Sequence, residues 1–207
     1  MNRFKETFRT KLYETIEFIE NNSLIEMVVI IKPQSGKYRD IPVWNGIIFS
    51  FLLYTFFMFS PFEFGVYMIY GMTILSFFFV YGLFSISNLL RSFFTKKTRM
   101  TRNVEINARA IFQKGGVRFT EERIGTLVYV SLYEKLVFVL PDRGAENAIP
   151  VDEWKEIKQD FQSIFDSSDV PGELINKLNK WQPVFAKYIP PVENDINELP
   201  DDMNVEL

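Results

Sequence analysis

Apolar residues at Phe4, Phe8, Leu12, Ile16 and Ile19 recur at intervals of four, four, four and three. That period predicts a helix that buries one face and wets the other. Asn21-Asn22-Ser23 stops the pattern, and Leu24–Lys32 (LIEMVVIIK) comes next as a β-branched run of strand length. From Ile41 to Leu90 the alternation vanishes: the block is apolar on every side, and its one charged residue is Glu63. Ser60-Pro61-Phe62-Glu63 divides it with a helix breaker, so two helices are predicted, Val43–Phe59 and Gly65–Leu89. Past the block, Val104, Ala108, Ile111 and Phe112 line one side of a helix over Asn103–Lys114, stopped by Gly115-Gly116. Thr120–Arg123 reads as one helical turn. Gly125–Leu132 and Leu136–Leu140 read as strands joined by the three-residue turn Tyr133-Glu134-Lys135. Two amphipathic helices are predicted next, Asp152–Phe165 and Pro171–Tyr188, capped by Asp152 and Asp169. Pro183 is expected to bend or end the last one.

Each half of the apolar block exceeds the ~20 residues needed to cross about 30 Å of hydrocarbon. The competing reading, two buried helices of a soluble core, would ordinarily keep a polar face. Lys32, Lys37 and Arg39 precede the first span, Arg91, Lys96, Lys97, Arg99 and Arg102 follow the second, and the turn between has neither Lys nor Arg. The positive-inside rule therefore puts both flanks, and both termini, in the cytoplasm. A cleaved signal peptide is not expected, because forty residues rich in charge precede the block.

A lone amphipathic helix and a lone strand cannot bury their apolar faces, so residues 1–40 need a partner. With both flanks on one side of the membrane, that partner is residues 96–190. The sequence thus predicts one α/β domain, an α/β/α sandwich with a small mixed sheet, interrupted by a two-helix transmembrane hairpin at 41–91. The apolar strands imply a sheet covered on both faces. Residues 191–207 hold six acidic and no basic residues, have no persistent apolar period, and are expected to be disordered.

The chain has no cysteine and no histidine. Thiolate nucleophiles, imidazole dyads, disulfides and Cys/His zinc sites are excluded. Chemistry would have to come from carboxylates, Lys/Arg, hydroxyls, amides or an oxygen-bound cation such as Ca2+ or Mg2+.

The segment Ala110-Ile111-Phe112 before a glycine pair, Thr120-x-x-Arg123-x-Gly125, Tyr129-Val130-Ser131-Leu132, and Asp142-Arg143-Gly144 followed by Pro150 and Trp154 resembles the TPM domain family, in particular its bacterial membrane proteins in which a transmembrane pair interrupts the domain. The likeness covers about residues 4–190. It implies an α/β/α sandwich, and its relatives range from acid-phosphatase-like and photosystem-maintenance proteins to an ion-channel auxiliary subunit, some of them binding divalent cations. Such breadth on one fold does not transfer an activity.

The Asp142-Arg143-Gly144 corner is the candidate site. Asp142 ends a strand, and ligands of open α/β sheets bind beyond the carboxyl ends of strands. With Asp152 at the next helix start it would supply part of an oxygen set for Ca2+ or Mg2+, while Arg143 could clamp a phosphate or carboxylate. Glu121 and Glu122 are placed at the far end of the sheet. In the structural alternative, Asp142 bonds its own turn, Gly144 supplies a positive φ, and Asp152 only caps a helix. The functional expectation is an inner-membrane accessory or assembly module that recognises another membrane protein or a membrane-proximal ligand, with homo-oligomerisation open. The alternative is a metal-dependent phosphatase, although no DxDx[TV] motif or P-loop is present. A nucleic-acid partner is not expected, since the basic residues concentrate beside the apolar block.

Overall fold

The structure, a computed structural model, describes residues 6–115, 117, 120, 122–192 and 205–206. The chain divides into two compact units. One joins residues 1–35 to 101–207, and the other is Gly36–Met100.

The first unit is a mixed sheet between helices. β1 (Met27–Lys32) and β2 (Thr126–Ser131) pair in parallel, Met27 opposite Thr126 and Lys32 opposite Ser131. β3 (Leu136–Pro141) returns antiparallel to β2. Because successive side chains point to opposite faces, Met27, Val29, Ile31, Val128, Val130, Val137 and Val139 enter one core and Val28, Ile30, Leu127 and Tyr129 the other. The first core is closed by α1 (Glu6–Asn21), α7 (Val151–Gln162) and α8 (Val170–Tyr188), through Leu12, Ile16, Trp154, Phe161, Leu178 and Phe185. The second is closed by α5 (Lys97–Lys114) through Val104 and Ala108. The apolar runs between the strand ends are what a sheet covered on both sides requires.

Several boundaries depart from the pattern-based reading. α5 begins at Lys97 rather than Asn103: buried Met100, four residues before Val104, carries the apolar stripe back into a start that is otherwise polar. The hairpin loop is four residues, Leu132–Lys135, with Lys135 at φ 52° supplying the left-handed residue that closes it. α7 starts after Pro150, so Asp152 lies inside its first turn and does not cap it, whereas Asp169 does cap α8 by accepting from Gly172 N. α8 runs unbroken past Pro183. Buried Trp181 and Phe185 on either side hold it, and packing outweighs the lost hydrogen bond. The tail expected to be disordered falls mainly on residues 193–204 and 207, outside the described residues. Val205–Glu206, however, is a two-residue strand, β4, parallel to β1 with Val29 opposite Val205; it pairs backbone groups of β1 that are otherwise at the sheet edge.

The second unit is built on α2 (Asp40–Phe59) and α3 (Val66–Ile86), 20 and 21 residues long, each long and apolar enough to cross a membrane. They pack against each other through a narrow stripe. Gly46 lets the Phe77 ring approach, since a Cβ there would stand 3.0 Å from it, and Phe57 meets Phe64 edge-on at 4.9 Å. The remaining faces expose large side chains, including Phe51, Leu52, Phe56, Leu75, Phe78 and Phe79. Four hydroxyls of these helices are spent on backbone carbonyls: Thr55 donates to Phe51 O, Thr73 to Ile69 O, and Ser50 and Ser76 both to Thr73 O. The second predicted span ends early. Ser87, extended at φ −90° and ψ 105°, closes α3 and caps a separate helix, α4 (Asn88–Phe94).

Candidate functional site

Asp142 ends β3, but β3 runs against β1 and β2. The corner therefore lies at the amino edge of the parallel pair, with Pro141 opposite Thr126, and not at the carboxyl edge where open α/β sheets bind ligands. Asp142 is buried, its N–H donates to Gly125 O at 2.8 Å, and its Oδ1 accepts from Arg143 N at 2.8 Å. The carboxylate thereby caps a short helix, α6 (Arg143–Ala148). Oδ2 lies 3.7 Å from Arg123 Nε, an ion pair beyond hydrogen-bond range.

Gly144 does not supply a positive φ. It is helical, and glycine is needed because a Cβ there would lie 2.2 Å from Glu122 O and 2.7 Å from Arg123 O. Its N–H donates to Arg123 O at 2.8 Å. The 122–123 segment thus touches the corner, the reverse of the separation expected from strand order; Glu121 lies outside the described residues. Arg123 itself is held at φ 55°, a conformation that costs a non-glycine residue about 1 kcal/mol. Arg143 and Asp152 are exposed. Among the described residues no three acidic side chains gather into a group that could hold a metal ion. Chemically, the corner buries one carboxylate, balances it with one guanidinium, and joins it to a helix start.

At the carboxyl edge of β1 and β2 stands a different polar cluster. Glu134 is buried, and its carboxylate accepts from Ser35 N at 3.1 and 3.2 Å and from Ser131 Oγ at 2.5 Å. Ser35 Oγ also lies 2.8 Å from Tyr129 Oη and 2.6 Å from Ser131 Oγ, and Asn107 Nδ2 donates to Ser35 O at 3.0 Å. Tyr129 and Ser131 share the α5 side of the sheet, which brings them to Asn107. Serine hydroxyls against a carboxylate resemble a nucleophile–base arrangement, but here each carboxylate oxygen is engaged by donors within the fold. The cluster clasps the residue at which the chain leaves the α/β unit. Sequence reasoning missed it: Ser35, Asn107 and Glu134 are far apart in the chain, and only the strand register assembles them.

A third cluster joins α7 to α8. Asp160 Oδ1 pairs with Lys177 Nζ at 2.8 Å, and Oδ2 accepts from Lys180 Nζ at 2.9 Å and Trp181 Nε1 at 2.7 Å. Burial pushes the Asp160 carboxyl up, but the bonds from Lys177, Lys180 and Trp181 outweigh it and hold the group below the ordinary carboxylate value. The bond to Asp160 correspondingly raises Lys177.

Fold and clusters together define a mixed α/β domain with a helical hairpin inserted after its first strand. No family model and no curated protein matches the chain. Among solved structures it is similar to the NMR structure of BA42 protein from the psychrophilic bacterium Bizionia argentinensis, with a TM-score of 0.59 at 16% identity over 98% of this chain and 94% of that one. At that identity the likeness is one of fold.

Proposed function

We propose that the chain is an integral membrane protein. Its hairpin crosses the bilayer twice, and its α/β unit, TPM-like in element order, works on the cytoplasmic side as a non-enzymatic accessory or assembly module for another membrane protein. The observation that carries this reading is the parallel pairing of β1 with β2 across the inserted hairpin. Two segments of one sheet must lie on the same side of any membrane crossed between them. The exposed aromatic and aliphatic surface of α2 and α3, together with the Ser50, Thr55, Thr73 and Ser76 hydroxyls that donate to helix carbonyls, suits a hydrocarbon solvent, which offers no partner to a free polar group. Basic residues on both flanks, and none in the turn, favour the cytoplasmic orientation. In the α/β unit, both oxygens of the Glu134 and Asp160 carboxylates are bound within the fold, and Asp142 spends Oδ1 on capping α6, which favours a binding role over hydrolysis.

The natural chain has no cysteine, so single substitutions report topology directly. In intact cells a membrane-impermeant maleimide is expected to label Glu63→Cys, and to reach Lys11→Cys and Lys155→Cys only after permeabilisation. Labelling of the last two from opposite sides would overturn the proposal. Turnover of a generic phosphate ester by the purified protein, lost in Asp142→Asn, would replace the accessory role with a hydrolase.

A further inference from the structure

Resting on this membrane reading, we infer that α4 and the charged collar beside it form an interfacial site for anionic phospholipid headgroups. Ten residues of uninterrupted helix would separate Phe84 and Phe94 by about 15 Å, yet their rings meet at 5.2 Å. The break at Ser87 therefore folds α4 back across the end of the hairpin, where Phe94, half exposed, rests on Phe84. Leu89 and Phe93, one turn apart on α4, are left 81% and 83% exposed, and Ile86 at the end of α3 is 87% exposed. A soluble protein rarely leaves such a row uncovered.

This end of the hairpin is also its charged end. Within Gly36–Met100, Lys37, Arg39, Arg91, Lys96, Lys97 and Arg99 stand here against a single acid, Asp40. Asp40 is already neutralised: Arg99 Nη1 donates to Asp40 Oδ2 at 2.6 Å and Arg99 Nη2 to Lys37 O at 3.0 Å, with the guanidinium 5.2 Å from the Tyr38 ring. That pair ties the chain entering the hairpin to the chain leaving it. Lys37 and Arg39 are thereby brought to the same end as Lys96 and Lys97, and all four are exposed. Apolar side chains at acyl depth beside a collar of net positive charge at headgroup depth fit an anionic lipid leaflet. A neutral lipid would satisfy the apolar row and give the positive collar no opposite charge.

The test uses the full chain in vesicles of phosphatidylcholine and phosphatidylglycerol in equal amounts, with bromine on the acyl chains of one lipid or the other. An environment-sensitive fluorophore is placed on Phe93→Cys, on Leu89→Cys and, as a mid-span control, on Phe51→Cys. At positions 93 and 89, brominated phosphatidylglycerol is expected to quench several-fold more than brominated phosphatidylcholine. At position 51 both should quench alike. Adding Lys96→Gln and Lys97→Gln should bring the ratio at position 93 towards one, each lysine weighing up to about fivefold. Equal quenching at position 93 overturns the anionic preference, and no quenching there overturns the interfacial placement, in either case with position 51 still quenched and the membrane reading intact. Loss of quenching at position 51 as well would remove the membrane reading itself.

Discussion

At the scale of single residues, Gly144 and Asp142 have structural tasks that predict distinct mutant behaviour. A methyl group on Gly144 would stand 2.2 Å from Glu122 O, and backbone on both sides leaves no side chain to yield. Gly144→Ala should therefore cost about 2–3 kcal/mol, read as a drop in thermal midpoint. Asp142→Ala removes a helix cap and should cost about 1–2 kcal/mol, whereas Asp142→Asn keeps a capping oxygen and should recover most of it. If Asn is as damaging as Ala, charge rather than capping is what the position requires. Asp160 predicts a pH dependence. Its carboxyl is held below the value near 3.9 of an unfolded chain, so its contribution is present above that value and is lost as pH falls through the depressed folded value. Asp160→Asn should cost about 2 kcal/mol at neutral pH and flatten the acid limb of the stability curve.

At the scale of elements, the strand register determines which polar groups meet. Lys32 opposite Ser131 brings the ends of β1 and β2 level, and Glu134 in the loop after β2 then reaches the backbone of Ser35. Glu134→Ala would leave Ser35 N and Ser131 Oγ without that acceptor, for a cost of about 2–3 kcal/mol; Glu134→Gln, which keeps one acceptor oxygen, should cost less. Denaturant titration of both variants checks the order. Element types were largely legible in the sequence because apolar period is a local signal: Phe8, Leu12, Ile16 and Ile19 announce α1, and all four are buried. Element ends were less so. Lys97–Arg102 holds one apolar residue at helical spacing, Met100 four before Val104, a weak signal among polar neighbours, α6 is too short to show a period, and Pro183 is tolerated because α8 is packed along its length.

For the whole molecule, the α/β unit owns its two cores, both drawn from residues 8–31 and 104–189. Replacing residues 36–100 by a flexible Gly/Ser linker is therefore expected to yield a protein that unfolds cooperatively in detergent-free buffer, whereas the intact chain should need detergent. Circular dichroism melts of the two proteins check this, and a linker variant without a cooperative transition would show that the hairpin is needed to bring β1 to β2.

The split organisation and the apolar hairpin were determined by the sequence alone, because length, charge and apolar period are carried by neighbouring residues. The candidate site was not. Asp142 was identifiable as a corner, but its placement at the amino edge of the parallel pair comes from the direction of β3. The Ser35–Ser131–Glu134 clasp and the return of α4 onto Phe84 likewise arise where residues distant in the chain come within hydrogen-bond or van der Waals reach. Such contacts depend on register and on packing between elements, so only the tertiary structure could decide them.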